Sequence, residues 1–205
     1  MNLVDRPHRP APYPDLTAFI DAAGGSVPTS RAEVAAATAA VLVRAGRDPQ
    51  GATDDRFVAL ADRVGIDTLA ALWRDSDPVS LPGALWALYL LRQWFRTSGD
   101  EVQRLWRAGA PLTPVDAVVA GVAEPEDAES VARGADAILA GAYRGDFAVA
   151  LERAAAAFRV IAAGRRAVAP ESSEGDPERA LADRNDRAAN DLATAAQLWR
   201  KGALG

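Results

Sequence analysis

The chain has 205 residues, a formal net charge of −5 and no cysteine, and 49% of its residues are hydrophobic. A chain of this length can bury a core without disulfides or a metal. The lack of cysteine excludes disulfides, thiol nucleophiles, iron–sulfur clusters and cysteine zinc sites, and the single histidine, His8, excludes metal sites that need two histidines. The acidic balance disfavours nucleic acid and anionic membrane surfaces as partners.

The beginning of the sequence carries no targeting signal that we recognise. Residues 1–5 turn polar at once, and no apolar segment of signal-peptide type follows. The best membrane candidate, residues 84–91, is closed by Arg92 and is far shorter than the roughly 20 residues of a spanning helix. We therefore expect a cytoplasmic protein, and the abundance of alanine and arginine, with Lys201 as the only lysine, is typical of a high-GC bacterium.

Helix signals recur along the chain after a proline-rich start. An N-cap residue or a first-turn proline precedes apolar residues at three- and four-residue spacing, and a glycine commonly ends the segment. Gly164 is expected to end one helix, the pair Glu124–Pro125 to begin another, and Asp67 to cap a third. Residues 30–33 have the pattern of a capping box. The pattern predicts helices over 16–23, 31–45, 54–64, 67–73, 81–97, 100–108, 114–122, 125–139, 147–163 and 177–201.

The absence of strictly alternating apolar and polar residues predicts that the chain has no sheet. We expect an all-α, multi-helix bundle of antiparallel αα-hairpins, with about nine or ten helices and a purely apolar interior. The predicted organisation is an extended proline-rich arm (1–14), a helical core domain (15–166), a flexible linker (167–177) and a long C-terminal helix (178–205). That last helix is expected to pack either on the core or on a partner.

Two segments of the chain resemble each other. Residues 54–74 and 87–107 align without a gap, and both end in Leu-Trp-Arg. The two segments are offset by 33 residues. A repeat of that length is typical of stacked helical hairpins, so the bundle is also a candidate helical-repeat protein. Chance similarity in a chain that uses few residue types is the alternative.

Aromatic and basic residues concentrate in the segment 86–107. Tryptophan and arginine are enriched at interface hot spots and at platforms on which ligands stack. The alternative is that the tryptophans belong to the core and the arginine stems cover them. The predicted binding residues are Arg92, Trp94, Arg96, Arg104, Trp106 and Arg107.

The predicted C-terminal helix carries oxygen donors on one face. Asp183, Asp186 and Asn190 follow helical spacing, and such donors can hold Mg²⁺. The alternative is a solvated face on which Arg184 and Arg187 pair with the acids.

These patterns lead to one functional hypothesis and two alternatives. We expect a non-enzymatic protein-interaction or scaffold module without catalytic residues, cofactor or metal. It would use the Arg/Trp region, or the groove beside the last helix, to bind a protein partner or a second copy; self-association through residues 178–201 is a specific version. The second hypothesis is a regulator that binds an anionic or aromatic small molecule between Arg92, Arg96, Arg104 and the tryptophans. The third is a Mg²⁺-dependent carboxylate enzyme that uses Asp183, Asp186 and Asn190.

Overall fold

The computed structural model describes residues 30–46, 58–122, 125, 127–169 and 176–205. Within these ranges the chain forms nine α-helices, one 3₁₀ turn (Ala110–Leu112) and no strand, which confirms the all-α prediction. The helices are α1 Arg31–Gly46, α2 Leu60–Val64, α3 Ile66–Trp73, α4 Leu81–Thr97, α5 Gly99–Gly109, α6 Pro114–Ala120, α7 Ala128–Arg144, α8 Phe147–Val168 and α9 Pro177–Arg200. The predicted arm, the helix over 16–23 and most of the predicted linker lie outside the described residues.

Capping side chains fix most of the predicted helix starts. At the start of α1, the Glu33 amide donates to Ser30 Oγ (3.2 Å) and the Ser30 amide donates to Glu33 Oε2 (3.0 Å), which forms the predicted capping box. Ser80, Asp146 and Asp176 likewise accept hydrogen bonds from backbone amides in the first turns of α4, α8 and α9. The cap residues in the sequence therefore located these helices correctly.

Two predicted starts are displaced. Helix α7 begins at Ala128 instead of Pro125 because Asp127 is the N-cap, with its carboxylate accepting a hydrogen bond from the Ser130 amide at 2.7 Å. Helix α3 begins at Ile66, directly after Gly65. The φ of +85° at Gly65 is one that glycine adopts readily, and it separates α2 from α3. Asp67 therefore lies within the first turn of α3 and does not cap it.

The prediction that Gly164 ends a helix is wrong, because α8 continues to Val168. Gly164 lies where α8 crosses α5, and a Cβ atom on it would lie 1.9 Å from the Leu105 carbonyl oxygen. Across the same contact, a Cβ on Gly109 would lie 1.9 Å from the Val160 carbonyl oxygen. Both glycines thus allow two helix backbones to touch, a packing requirement that sequence periodicity does not reveal.

Helix α8 is the central element of the described fold. It packs against α5, α6, α7 and α9, and the four consecutive alanines 154–157 are all buried, so it is covered on several sides. Helix α4 packs against α1, α3 and α7 and also contacts α8 and α9. None of the described helices combines the length and apolarity that crossing a membrane requires.

Helix α9 lies along α8 in the same chain. Its buried residues, Ala182, Ala189, Leu192, Ala195 and Ala196, form its apolar face. Trp199 adds an edge contact with Phe147 of α8, with ring centroids 4.8 Å apart. The apolar stripe considered for self-association through 178–201 is therefore covered within the chain.

We predict that Gly164→Ala lowers the free energy of unfolding by about 3 kcal/mol or more, because its methyl group forces α5 and α8 apart. Gly141→Ala is the matched control: it lies within α7, and its Cβ would lie 3.7 Å from the Ala150 Cβ, an ordinary contact. We expect this control to stabilise the protein by about 0.5–1 kcal/mol through helix propensity. Urea unfolding of both variants makes the measurement, and equal effects would contradict the close crossing.

Candidate functional site

Arg92 of α4 is buried, with 3% of its surface exposed, and it joins three helices. Its Nη1 and Nη2 atoms donate to the Asp62 carboxylate of α2 at 3.0 and 2.7 Å, and its Nε donates to Asp136 of α7 at 2.6 Å. Burial by itself lowers the pKa of Arg92, but the hydrogen bonds to Asp62 and Asp136 outweigh it and raise that pKa. Arg92 is therefore a permanently charged structural centre.

Arg165 of α8 forms a second buried centre of the same kind. It donates to Glu101 of α5 at 3.0 Å and to Glu178 of α9 at 2.7 Å, and its guanidinium lies 5.4 Å from the ring centroid of Trp94 in α4. The prediction of a purely apolar interior is wrong at Arg92 and Arg165. Each is accommodated because carboxylates from neighbouring helices satisfy its charge.

The six predicted binding residues do not form a single site. Arg92 and Arg96 both donate to Asp136, and Trp94 packs against Arg165. The three residues from α5 differ in burial, since Trp106 is buried whereas Arg104 and Arg107 are exposed. The structure therefore does not gather Arg92, Arg96 and Arg104 around one open cleft, the arrangement on which a shared ligand site depends.

The acidic face of α9 is engaged by an arginine of α8. Arg166 Nη2 donates to Asp183 at 2.9 Å and to Asp186 at 2.5 Å, and the Asp186 hydrogen bond is the main cause of the raised pKa of Arg166. Asn190 lies on the exposed surface of α9. In the described part of the chain, no group of three or more His, Cys, Asp or Glu side chains is arranged to hold a metal ion.

Two buried tyrosines provide another group of polar atoms. The hydroxyl oxygens of Tyr89 in α4 and Tyr143 in α7 lie 2.9 Å apart. Burial raises the pKa of Tyr89 to about 12 and raises the pKa of Tyr143 well above its ordinary value. Both hydroxyls thus remain protonated at neutral pH, and the pair acts as a hydrogen bond between helices instead of a base or nucleophile.

Helix α6 is attached to α8 through its polar and small side chains. Arg153 Nε donates to the Ala120 carbonyl oxygen at 3.1 Å, and Arg159 Nη1 lies 3.4 Å from Asp116 Oδ1. Ala120 is buried in this contact. Gly121 then adopts a left-handed φ of +66°, and a Cβ on it would lie 2.8 Å from the Arg153 guanidinium.

The opposite side of α6 and the preceding 3₁₀ turn form what we call the apolar ridge: Leu112, Val115, Val118 and Val119. Their exposed fractions are 62%, 74%, 80% and 45%. Val118 and Val119 follow Val115 at three- and four-residue spacing, which places these three valines on one face of α6. Leu112 lies in the 3₁₀ turn just before the helix. Helix α6 is thus amphipathic, with its apolar residues on the outside.

A groove of about 590 Å³ runs beside the apolar ridge. It is lined by Trp106 and Arg107 of α5, by Ala110 and Pro111 of the 3₁₀ turn, and by Ala117, Val118, Gly121 and Val122. Its walls are mostly small residues, and Val118 belongs to both the ridge and the groove. We call this the ridge groove.

Sequence reasoning missed the apolar ridge although it predicted the helix that carries it. The spacing of Val115, Val118 and Val119 correctly indicated a helix beginning at Pro114. Periodicity identifies which residues share a face, but it does not say whether that face points inward. A usable signal was the combination of Asp116, Ala117 and Ala120 on the other face, which could supply only a weak apolar contact to a core.

Comparison of the chain with family models, with curated proteins and with solved structures found no match. The functional proposal therefore rests on the physical features of this chain.

We predict that Arg92→Ala lowers the free energy of unfolding by about 3 kcal/mol, the lower end of the range for breaking a buried ion pair, because Asp62 and Asp136 remain partly hydrated. Arg96→Ala is the control: it removes a more exposed arginine that shares Asp136 and should cost about 1 kcal/mol or less. Thermal and urea unfolding check both values. A loss of less than about 1 kcal/mol for Arg92→Ala would contradict a structural role for the buried charge.

The same centre predicts a pH dependence. The hydrogen bond from Arg92 lowers the pKa of Asp62 below its ordinary value, so the folded state binds a proton at Asp62 less readily than the unfolded state. The stabilisation is present above the ordinary aspartate pKa of about 4 and is lost as the pH falls below it. Between about pH 6 and about pH 3, the free energy of unfolding should fall less steeply for Asp62→Asn than for the wild type. Parallel curves would show that the pair is not formed.

Proposed function

We propose that this protein is a non-enzymatic protein-interaction module that binds a partner through the apolar ridge and the ridge groove. The observation that carries the proposal is the exposure of four neighbouring large apolar side chains on α6 and the turn before it. Exposed apolar residues that stand alone are ordinary on protein surfaces, but a contiguous group next to a groove is characteristic of a binding surface.

The size of the ridge supports a protein partner. Its four side chains are 45–80% exposed. Fully burying an exposed valine or leucine is worth about 1.5–3 kcal/mol, so covering the ridge contributes on the order of 5 kcal/mol before the costs of association. A typical stable interface buries about 800 Å² on each partner. The ridge therefore fits the apolar centre of an interface whose rim comes from the residues around the groove.

We also propose a cytoplasmic setting in a bacterium. The cysteine-free, arginine- and alanine-rich composition supports this proposal, since disulfides belong mainly to oxidising compartments.

A photo-crosslinking residue placed at Val118 tests the proposal, with the same residue at Val149 of α8 as a matched control. Val149 is an exposed valine as well, but it belongs to α8 and not to the ridge. In extracts of the source cells, we expect a discrete crosslinked product from position 118 that is absent from the purified protein and that Val115→Asp abolishes. Because Val115 is largely exposed, that change should alter the stability by about 0.5 kcal/mol or less.

The proposal is contradicted if positions 118 and 149 give the same products, or if Val115→Asp leaves the product from position 118 unchanged. Circular dichroism and urea unfolding of each variant establish that folding is intact.

A small ligand in the ridge groove is the second candidate function. The volume of about 590 Å³ lies in the range of ligand clefts, roughly 300–1,000 Å³, and Trp106 with Arg107 offers an aromatic and a cationic group. Titration of tryptophan fluorescence with anionic aromatic compounds distinguishes the two functions. Ligand binding that survives Val115→Asp, a change outside the groove lining, favours the small molecule.

A further inference from the structure

The backbone of the described fold restricts what can bind to the ridge. It contains helices and no strand, so it offers no sheet edge to which an extended peptide could add its own backbone hydrogen bonds. A segment that covers the apolar ridge must leave water without gaining backbone partners from this surface. It must therefore satisfy its backbone groups internally, and a helix does so.

The shape of the site fits a helix as well. Three residues that line the ridge groove, Ala110, Ala117 and Gly121, have small side chains or none. Small residues let helices approach closely. Val118 lines the groove and also belongs to the ridge, so an apolar side chain bound in the groove would contact the ridge at the same time. Side chains three and four positions apart on one helix reach both features together.

Among the described residues, arginines of α5 and α8 lie beside the ridge groove. On the α8 side, the Arg153 guanidinium lies next to Gly121, which lines the groove, and its Nε donates to the Ala120 carbonyl oxygen. On the α5 side, Arg107 lines the groove and the exposed Arg104 lies one turn before it. The described carboxylate on α6, Asp116, is paired with Arg159.

This charge pattern disfavours a second copy of the same surface as the occupant. In an isologous pair, the arginines beside one ridge would approach the equivalent arginines of the other, and like charges at an interface cost free energy. A helix with acidic residues beside its apolar face is complementary to these arginines.

Building on the proposed function, we infer that the apolar ridge and ridge groove bind an amphipathic helix of a partner protein, whose apolar face is flanked by glutamate or aspartate. The apolar face would cover the ridge and fill the groove beside Trp106, and the acidic flanks would lie near Arg104, Arg107 and Arg153.

Fluorescence anisotropy with two labelled synthetic peptides tests this inference. The first peptide has about five helical turns, with leucines at helical spacing flanked by glutamates; its twin carries lysine at every glutamate position. We expect the full-length protein to bind the acidic peptide about tenfold or more tightly than the twin, with an affinity that falls as salt rises. Val118→Asp should weaken binding by a similar factor.

Charge-reversal variants locate the contact. Arg104→Glu should weaken binding of the acidic peptide about fivefold to tenfold and strengthen binding of the twin. Arg187→Glu, the same change at an exposed position of α9, is the control and should change neither affinity. Urea unfolding of both variants tests whether the fold is retained.

The outcomes separate this inference from the proposed function. Equal binding of both peptides, still sensitive to Val118→Asp, would overturn the acidic flanks while supporting a protein-binding ridge. Absence of peptide binding together with a specific crosslink from position 118 would overturn the helical partner and leave the proposed function standing. A dimer seen by light scattering and abolished by Val118→Asp would identify a second copy and overturn the inference. Absence of both binding and crosslinking would overturn the inference and the function together.

Discussion

The orientation of α6 depends on its attachment to α8 by Arg153 and Arg159. These arginines bind the Ala120 carbonyl and the Asp116 carboxylate, so the polar and small face of α6 lies toward the protein. Burying a single valine is worth about 1.5 kcal/mol or more, and an unattached amphipathic helix would turn its valines inward. The attachment, together with the burial of Ala120, keeps the apolar ridge on the surface, and the functional proposal depends on this.

Two features of the described fold, the platform that carries α6, oppose relative movement of its helices. The backbone contact between α5 and α8 at Gly109 and Gly164 leaves no space for relative movement without separating the helices. The buried centres at Arg92 and Arg165 connect helices that are distant in sequence. Because each arginine would be left with unpaired charge if its carboxylates moved away, both centres oppose rearrangement of the helices around them. A surface held on such a platform loses little conformational freedom on binding.

Much of the fold could be predicted from local signals. The capping box at Ser30, the caps at Asp146 and Asp176 and the proline at 114 located helix starts because capping is a property of a few consecutive residues. Gly164 was misinterpreted because its role depends on Leu105, a residue far away in sequence. A glycine at a helix end and a glycine at a helix crossing look the same in one sequence.

The candidate site was less predictable than the fold. The segment 86–107 was correctly identified as rich in arginine and tryptophan, but its composition does not reveal that Arg92 faces two carboxylates from other helices. The apolar ridge lies in a segment whose helical period was recognised, yet the direction of its apolar face depends on long-range contacts with Arg153 and Arg159. Composition and spacing specify elements, whereas the direction of a face is decided by tertiary packing.

Hydroxyl-radical footprinting of the isolated protein, at concentrations where light scattering finds only monomer, tests most directly whether the apolar ridge faces water. Side-chain oxidation is then quantified by mass spectrometry. Leu112, Val115 and Val118 should be oxidised rapidly, while Leu105 and Val160, buried at the crossing of α5 and α8, should be protected. Protection of Val115 and Val118 to the level of Val160 would mean that α6 turns its apolar face inward, and it would contradict the proposed binding surface.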